Sequence, residues 1–501
     1  MRNALALSAF ALLLLALSVI AYVLLKRHAA RDIRGSSTVE FIPTGPIPAV
    51  PRELRSVQWP MYGFDPQRTR SVGSDVRPPF KQLWVAGGDT LLEFPPAIAY
   101  GRLFLANNGG LLFAVGAANG RRAWVFRSHR CVAATPAVDR GTVFEAFLNR
   151  PPCNASPSPK LDGEVIAVST GVGEVRWRRR IGPTETSPLL ANGLVYVGDW
   201  FGNVYALSEE TGEVRWRSHV SGPVKGGVAL SGNRIFVGAY DSHVYALDAR
   251  TGKQLWEASA QPRVGQTGNF YSTPAVAYGR VYIGSTDGKV YSFGATSGKL
   301  RWSHSTGGYV YGSPAVWRSR VLIGSYSKKF LALDAATGDV IWTFEANGPI
   351  LGSATVVGDV VYFATLVGRT YALDARTGRQ LWSFPDGKYS PVVADAKRLY
   401  LVGYAKIYGL VSATAAKPTA TLHRLQVRSV RSALPPALAA TVENGAPWIT
   451  VIVGSDRRPH SPLEYARVCN VEVMRFANRP KVRRNYAEVV RVLHVRCADL
   501  R

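Results

Sequence analysis

Tyr240-Asp241-Ser242-His243-Val244-Tyr245-Ala246-Leu247-Asp248-Ala249-Arg250-Thr251-Gly252-Lys253-Gln254-Leu255-Trp256 decides the fold, because near-copies of it recur along most of the chain. Val237, Val244 and Ala246 lie in an alternating setting, which is strand periodicity. Thr251-Gly252 then turns the chain, and Trp256 sits on the strand that follows. The same ending recurs from Gly120 to Trp124, Gly173 to Trp177, Gly212 to Trp216, Gly298 to Trp302, Gly338 to Trp342 and Gly378 to Trp382. Successive tryptophans are 53, 39, 40, 46, 40 and 40 residues apart. A period of about 40 residues is one four-stranded blade, and its repetition predicts a propeller. A twisted blade cannot bury both faces alone, whereas stacked neighbours can, and a ring leaves no end.

Each unit enters through a small or proline-containing segment: Pro95-Pro96, Thr135-Pro136, Ser187-Pro188, Lys225-Gly226-Gly227, Thr273-Pro274, Ser313-Pro314, Ser353-Ala354 and Ser390-Pro391. That makes eight units, but the last, ending near Leu410, has no tryptophan strand of its own. Lys81-Gln82-Leu83-Trp84-Val85 precedes the first entry segment and supplies the missing one. The expectation is therefore an all-β, eight-bladed propeller of four-stranded antiparallel blades, with the N-terminal strand completing the last blade so that no sheet edge stays exposed.

With these residues in view, the repeat Ala246 to Trp256 resembles that of the PQQ-like, quinoprotein-type β-propellers, and Trp59-Pro60-Met61-Tyr62-Gly63-Phe64-Asp65-Pro66-Gln67-Arg68-Thr69-Arg70 resembles their lead-in. The resemblance covers residues 58–410. It implies the propeller fold but not one function, since that family holds cofactor-dependent dehydrogenases, the propeller lipoprotein of the outer-membrane barrel assembly machinery, and binding modules. The dehydrogenases hold PQQ and calcium with acidic and amide ligands, and many have a disulfide between adjacent cysteines. No two cysteines are adjacent here, and the turns expected around the axis carry Asp199-Trp200, Tyr240-Asp241, Thr286-Asp287, Tyr326-Ser327 and Leu366-Val367. A hard dication needs several convergent oxygens. No cofactor or catalysis is therefore expected; the alternative is a PQQ-dependent oxidoreductase acting on alcohols or sugars.

Other catalytic patterns fail on spacing. Gly171-x-Gly173 lacks the third glycine of a dinucleotide loop, because Arg176 takes that place. Ser325-Tyr326-Ser327-Lys328 lies on a hairpin turn without companion motifs. The eight histidines form no His-x-x-x-His pair.

Ala4 to Leu25 is uncharged and rich in Leu and Ala, and is expected to form a transmembrane signal-anchor helix within residues 1–25; the alternative is a cleaved signal peptide, which would normally show a shorter apolar core and a small-residue cleavage site. With no cysteine before Cys131, a lipoprotein attachment is not expected. Lys26, Arg27, Arg31 and Arg34 follow the run, which by the positive-inside rule would keep the bulk of the chain cytoplasmic. The family's usual export and the cysteine placement favour an extracytoplasmic propeller instead. Residues 26–57 read as a proline-containing linker, extended and semi-stiff.

Lys and Arg number 60 against 34 Asp and Glu, a net charge of +26. Such a surface favours polyanions such as cell-wall polymers or acidic lipid head groups, while nucleic acid would require a reading element besides charge. Cys131 and Cys153 flank an insertion in the second repeat and are the candidate disulfide of an oxidising compartment, with two unrelated buried thiols as the alternative. Asn154-Ala155-Ser156 is formally a glycosylation acceptor. Residues 411–501 form a basic extension for which three accounts compete: a small disulfide-linked domain with Cys469 and Cys497, a disordered tail, and a frame-altered extension. The latter two are favoured together.

A residue that the architecture demands recurs in every blade, so function is sought where the copies disagree. Those positions lie just before the entry strands: Glu185, Lys225, Phe270-Tyr271, Tyr309, Tyr311, Lys388 and Tyr389. This Tyr- and Lys-rich face is expected to bind a protein or peptide partner.

Overall fold

The computed structural model describes residues 2–29, 31–43, 57–153, 158, 160–261, 268–389 and 392–413, together with four strands nearer the C-terminus. Eight antiparallel sheets succeed one another along residues 80–412. The first contains Ala97–Ala99, Arg102–Asn107, Leu111–Gly116 and Arg122–Arg127. The fourth is built alike from Ala229–Ser231, Arg234–Gly238, His243–Asp248 and Gln254–Ser259. The turn before each tryptophan strand has a local cause. Asp248 Oδ1 accepts from the backbone N–H groups of Arg250 (3.0 Å) and Thr251 (2.9 Å), and Gly252 takes φ +74°. Glycine adopts that left-handed conformation at little cost.

Each tryptophan faces a small residue on the neighbouring strand, as in Ala206 opposite Trp216, Ala246 opposite Trp256 and Ser292 opposite Trp302. The indole then covers the turn glycine of the next blade. A Cβ at Gly252 would lie 2.6 Å from Trp216, and one at Gly298 would lie 2.7 Å from Trp256. The indole N–H donates to that same turn, Trp216 to Ala249 O (2.9 Å) and Trp302 to Ala335 O (3.0 Å). One residue thus supplies buried apolar area, satisfies its polar atom and joins two blades.

Ring closure follows the sequence expectation. Phe80–Gly87 pairs antiparallel with Lys406–Ser412 and forms the outer strand of the eighth blade beside Leu399–Val402 and Val393–Ala394. Trp84 then latches onto the first blade, donating to Ala117 O (3.2 Å) over Gly120. The seventh interface differs, because a borrowed outer strand brings no Thr-Gly turn. There Trp382 meets the edge of Phe80, with centroids 5.1 Å apart.

The lead-in closes the axis, a role its sequence did not disclose. Its carbonyls accept from inner-strand amides of four successive blades: Pro66 from Leu230, Gln67 from Val276, Thr69 from Val316 and Arg70 from Val356, at 2.7–2.8 Å. These amides face the channel and have no partner within their own four-stranded blades, so the lead-in supplies what the ring leaves open, in the seventh blade as a parallel strand Ser71–Val72. Arg68, fully buried, donates to Val228 O (2.9 Å), Ser187 O (3.0 Å) and Tyr62 O.

Residues 31–43 correct the expectation of a linker over 26–57. They lie against the fifth and sixth blades, with Ile33 bridging Ser303 and Gly35 donating to Thr337 O (2.8 Å). Residues 44–56 lie outside the described residues. The run expected as a membrane anchor is helical over Arg2–Ala29. Among the described residues, whose side chains in this helix extend from Phe10 to Leu24, no helix is long and apolar enough to cross a membrane.

Cys131 and Cys153 form the expected disulfide across the insertion. Asn154, Ser156, Cys469 and Cys497 lie outside the described residues. Thr414–Arg501 is a second compact unit. Within it Val471–Arg475, Glu464–Val468, Trp448–Gly454 and Val489–Arg496 pair in that order into an antiparallel sheet. Runs such as Ile449 to Val453 are β-branched enough to pair.

Candidate functional site

The loops that enter the blades are held by two repeated devices. In the first, the entry hydroxyl of one blade accepts the backbone N–H of the blade before it. Thr135 N–H donates to Ser187 Oγ (2.9 Å), Gly227 to Thr273 Oγ1 (2.8 Å), Thr273 to Ser313 Oγ (2.9 Å) and Ser313 to Ser353 Oγ (2.8 Å). In the second, an apolar side chain packs on the glycine ending a second strand. Val224 lies on Gly198, Phe270 on Gly238, Val310 on Gly284 and Ile350 on Gly324, each so close that a Cβ would meet it at 2.3–2.5 Å. With that residue pinned, the next one reaches the axis, and those next residues are Lys225, Tyr271, Tyr311 and Leu351.

They line a funnel of about 270 Å³ on the axis. Glu93 and Glu185 stand beside Lys225 on one arc, while Tyr271, Tyr311, Leu351 and Tyr389 make the other. Tyr62 of the lead-in closes the floor, its hydroxyl bonded to Ser353 Oγ at 2.6 Å. One arc is therefore charged, and the other is aromatic and aliphatic.

Within the charged arc Glu185 is fully engaged. Glu185, 9% exposed, accepts from Trp200 Nε1 (2.7 Å) and Tyr271 OH (3.2 Å) and pairs with Lys225 Nζ (3.2 Å). Lys225 also lies over the rings of Trp200 (4.5 Å) and Tyr240 (5.1 Å), a cation–π arrangement. The Glu185 charge, followed by burial, pushes the Tyr271 hydroxyl well above the usual tyrosine range, so it stays a donor. Burial and then the Glu185 charge raise the Glu93 carboxyl.

The aromatic arc is continuous. Ring centroids run from Tyr240 to Tyr271 (6.2 Å), Tyr271 to Tyr311 (5.7 Å) and Tyr311 to Tyr309 (6.1 Å), mostly edge to face. Tyr309 is half exposed at the rim. Lys388 sits over Tyr389 and Tyr404, 5.2 Å from each centroid. Of the residues singled out on sequence, Glu185, Lys225, Tyr271, Tyr309, Tyr311, Lys388 and Tyr389 belong to this one face, whereas Phe270 does not: it is fully buried against Gly238. Five of these seven line the funnel itself, while Tyr309 and Lys388 stand behind Tyr311 and Tyr389. Glu93, Trp200, Tyr240 and Tyr62 were not singled out as partner-binding on sequence, although the turns of Trp200 and Tyr240 were expected around the axis. A signal existed for the first: Glu93 precedes Pro96 by three residues, as Glu185 precedes Pro188.

The residues do not fit a calcium–quinone centre. Calcium takes six to eight oxygens, but the funnel brings only two carboxylates, and both oxygens of Glu185 are engaged by N–H and O–H donors. Asp199 in the adjoining turn is held by Asn203 Nδ2 (2.9 Å) and Tyr205 OH (2.9 Å), and Asp287 accepts from Tyr291 OH (2.5 Å). Among the described residues no group of three or more His, Cys, Asp or Glu side chains could hold a metal ion.

The family model described as "Outer membrane protein assembly factor BamB" matches residues 161–309 and 306–417, together more than half of the 501 residues. No curated protein matches by sequence. Among solved structures the chain is similar to BamB from Moraxella catarrhalis, at 17% identity over 66% of this chain and 99% of that one, with a TM-score of 0.55. It is similar to the quinohemoprotein alcohol dehydrogenase of Comamonas testosteroni at 15% identity over 74% and 83%, with a TM-score of 0.60. A europium-containing methanol dehydrogenase aligns at 12% identity over 72% and 99%, with a TM-score of 0.59. At these identities the likeness to structures concerns the fold alone.

Proposed function

We propose, starting from the fact that this chain belongs to the family described as outer membrane protein assembly factor BamB, that it is a membrane-attached, extracytoplasmic binding and assembly module whose funnel takes an extended polypeptide segment. The carrying observation is the two-sided funnel with a closed floor. About 270 Å³ is at the small end for a small-molecule or cofactor site. It suits one or two side chains of a segment laid across the mouth, apolar groups meeting Tyr271, Tyr311 and Leu351 while backbone and polar groups meet Lys225 and Tyr271 OH.

Attachment is ascribed to the N-terminal helix, whose Phe10, Leu13, Leu17, Ile20 and Leu24 are all exposed and which offers water a largely apolar surface broken by Ser18 and Tyr22. Resistance of the full chain to alkaline extraction from membranes tests this, and release into the soluble fraction would count against it. The net charge of +26 adds salt-sensitive attraction to acidic lipids or cell-wall polymers.

The test of the funnel is capture by in-cell crosslinking with Tyr271→Ala, Tyr311→Ala and Lys388→Ala combined. Interface aromatics contribute about 2 kcal/mol or more each, so capture falls by at least about thirtyfold. Undiminished capture removes the reading. The enzymatic alternative makes the opposite forecast: purified chain given PQQ and calcium would reduce an artificial acceptor with an alcohol or sugar.

A further inference from the structure

Residues 31–43 form a strap that determines which side of the ring faces the N-terminal helix. The funnel side is defined by the entry loops and by the turns between second and third strands, since Tyr240 and Tyr326 of those turns touch Tyr271 and Tyr311. In the fifth blade the outer strand Leu300–Ser305 rises to that side, and the turn from Ala295 to Lys299 lies on the opposite one.

The strap begins at the funnel side. Asp32 Oδ1 accepts from Ser305 N–H (2.7 Å), and Lys289 Nζ donates to Arg31 O (3.3 Å). It then descends antiparallel to the outer strand: Ile33 exchanges backbone bonds with Ser303 (3.0 and 2.9 Å), and Gly35 comes so near Ala336 O that a Cβ would lie 2.4 Å from it. Its far end is fastened on the opposite side. Glu40 accepts from the N–H groups of Thr296 (3.1 Å) and Ser297 (2.9 Å) and pairs with Arg301. Arg280, fully buried, donates to the carbonyls of Ser36 (3.0 Å), Val39 (2.5 Å) and Glu40 (2.6 Å). Three carbonyls converging on one buried guanidinium, with a carboxylate capping the adjacent turn, make a built seat.

The helix ends at Ala29, two residues before Arg31, so at most about 7 Å of chain separates it from the funnel-side rim. We propose that the strap holds the funnel mouth toward the membrane that the helix enters, so that the funnel receives polypeptide presented at that membrane surface. This rests on the reading of the helix as the membrane attachment. Turning the other face to the bilayer would require stripping the strap from its whole strand.

The test uses the full chain in vesicles of phosphatidylethanolamine and phosphatidylglycerol, with a photo-crosslinking amino acid at Val367 on the funnel side or at Val172 on the opposite side. Both positions are well exposed, at 59% and 62%. A strand of six residues separates the two faces by about 20 Å, so lipid adducts at position 367 should exceed those at 172 by about tenfold or more. In a Glu40→Ala, Arg280→Ala variant, which frees the strap, the ratio should fall toward unity. Equal or reversed adduct yields in vesicle-bound wild type overturn the orientation while leaving attachment standing. Failure of the chain to float with vesicles overturns attachment and orientation together.

Discussion

Replacing Trp84 with Ala examines whether the borrowed strand is integral to the ring. Trp84 and Trp177 are each 9% exposed, and their indole N–H groups donate to Ala117 O (3.2 Å) and Glu209 O (2.9 Å) respectively. Each covers the turn glycine of the following blade, with a Cβ at Gly120 or Gly212 falling 2.6 or 2.5 Å from the ring. Trp84 additionally lies 6.0 Å from Tyr400 and against Gly409. Truncating a buried tryptophan costs about 3–5 kcal/mol, through lost transfer energy and the cavity left behind. Trp84→Ala should therefore cost as much as Trp177→Ala, although its strand reaches the eighth blade from the far end of the propeller sequence. Guanidinium unfolding followed by far-UV circular dichroism compares the two at similar slopes. Hydrogen exchange at Lys406–Ser412 should accelerate in Trp84→Ala, because the partner strand loosens first. A loss below about 1 kcal/mol for Trp84→Ala, with the full loss for Trp177→Ala, would refute the closure argument.

Three further outcomes follow from particular residues. Glu145 is fully buried, its carboxyl raised well above the usual range by desolvation, and one oxygen has no hydrogen-bond partner among the described residues. Because the folded state holds this proton more tightly than the unfolded chain, stability declines as pH rises through the displaced titration. Glu145→Gln should flatten that decline and be the more stable protein at high pH, as thermal melts across pH will read. Gly298→Ala places a Cβ 2.7 Å from Trp256 at φ +69° and should cost about 1–3 kcal/mol. Gly193→Ala, at φ +74° with open space around it, should cost about 1 kcal/mol, and equal melting shifts would deny the latch. Reducing the Cys131–Cys153 bridge, which closes a 22-residue separation, should remove about 3 kcal/mol of loop restraint. Limited proteolysis should then cut between Leu148 and Leu161 while the ring stays folded, and a global collapse would contradict that local role.

The candidate site was legible to the extent that it departs from the repeat. Val310, like Phe270, packs on a strand-ending glycine, Gly284 or Gly238, whereas Tyr271 and Tyr311 reach the funnel; Phe270 was singled out with Tyr271 because its aromatic ring also departs from the repeat. Comparing copies finds Tyr271 and Tyr311 but does not separate Phe270 from them, and Glu93 could have been found by the same alignment. Trp200 and Tyr240 escaped because their turns lie some 15 or more residues from the entry loops they meet, as Trp200 meets Glu185. The strap escaped for a different reason: Pro43, Pro46, Pro48 and Pro51 read as a spacer, yet the segment up to Pro43 is tied down where Arg280 donates to the Glu40 carbonyl, 240 residues away in sequence.

The amino-acid sequence alone determined the blade period, the number of blades and the strand that closes the ring, because each is a local pattern repeated or broken at a countable interval, whereas it offered the bridge between Cys131 and Cys153 only as a candidate that the structure then joined. The tertiary structure alone decided that the lead-in fills the axis, that Arg68 and Arg280 are buried among carbonyls, and that the strap begins beside the funnel. Those placements satisfy backbone groups left over once the ring has closed, and where such groups remain depends on every blade at once. No single segment carries that information.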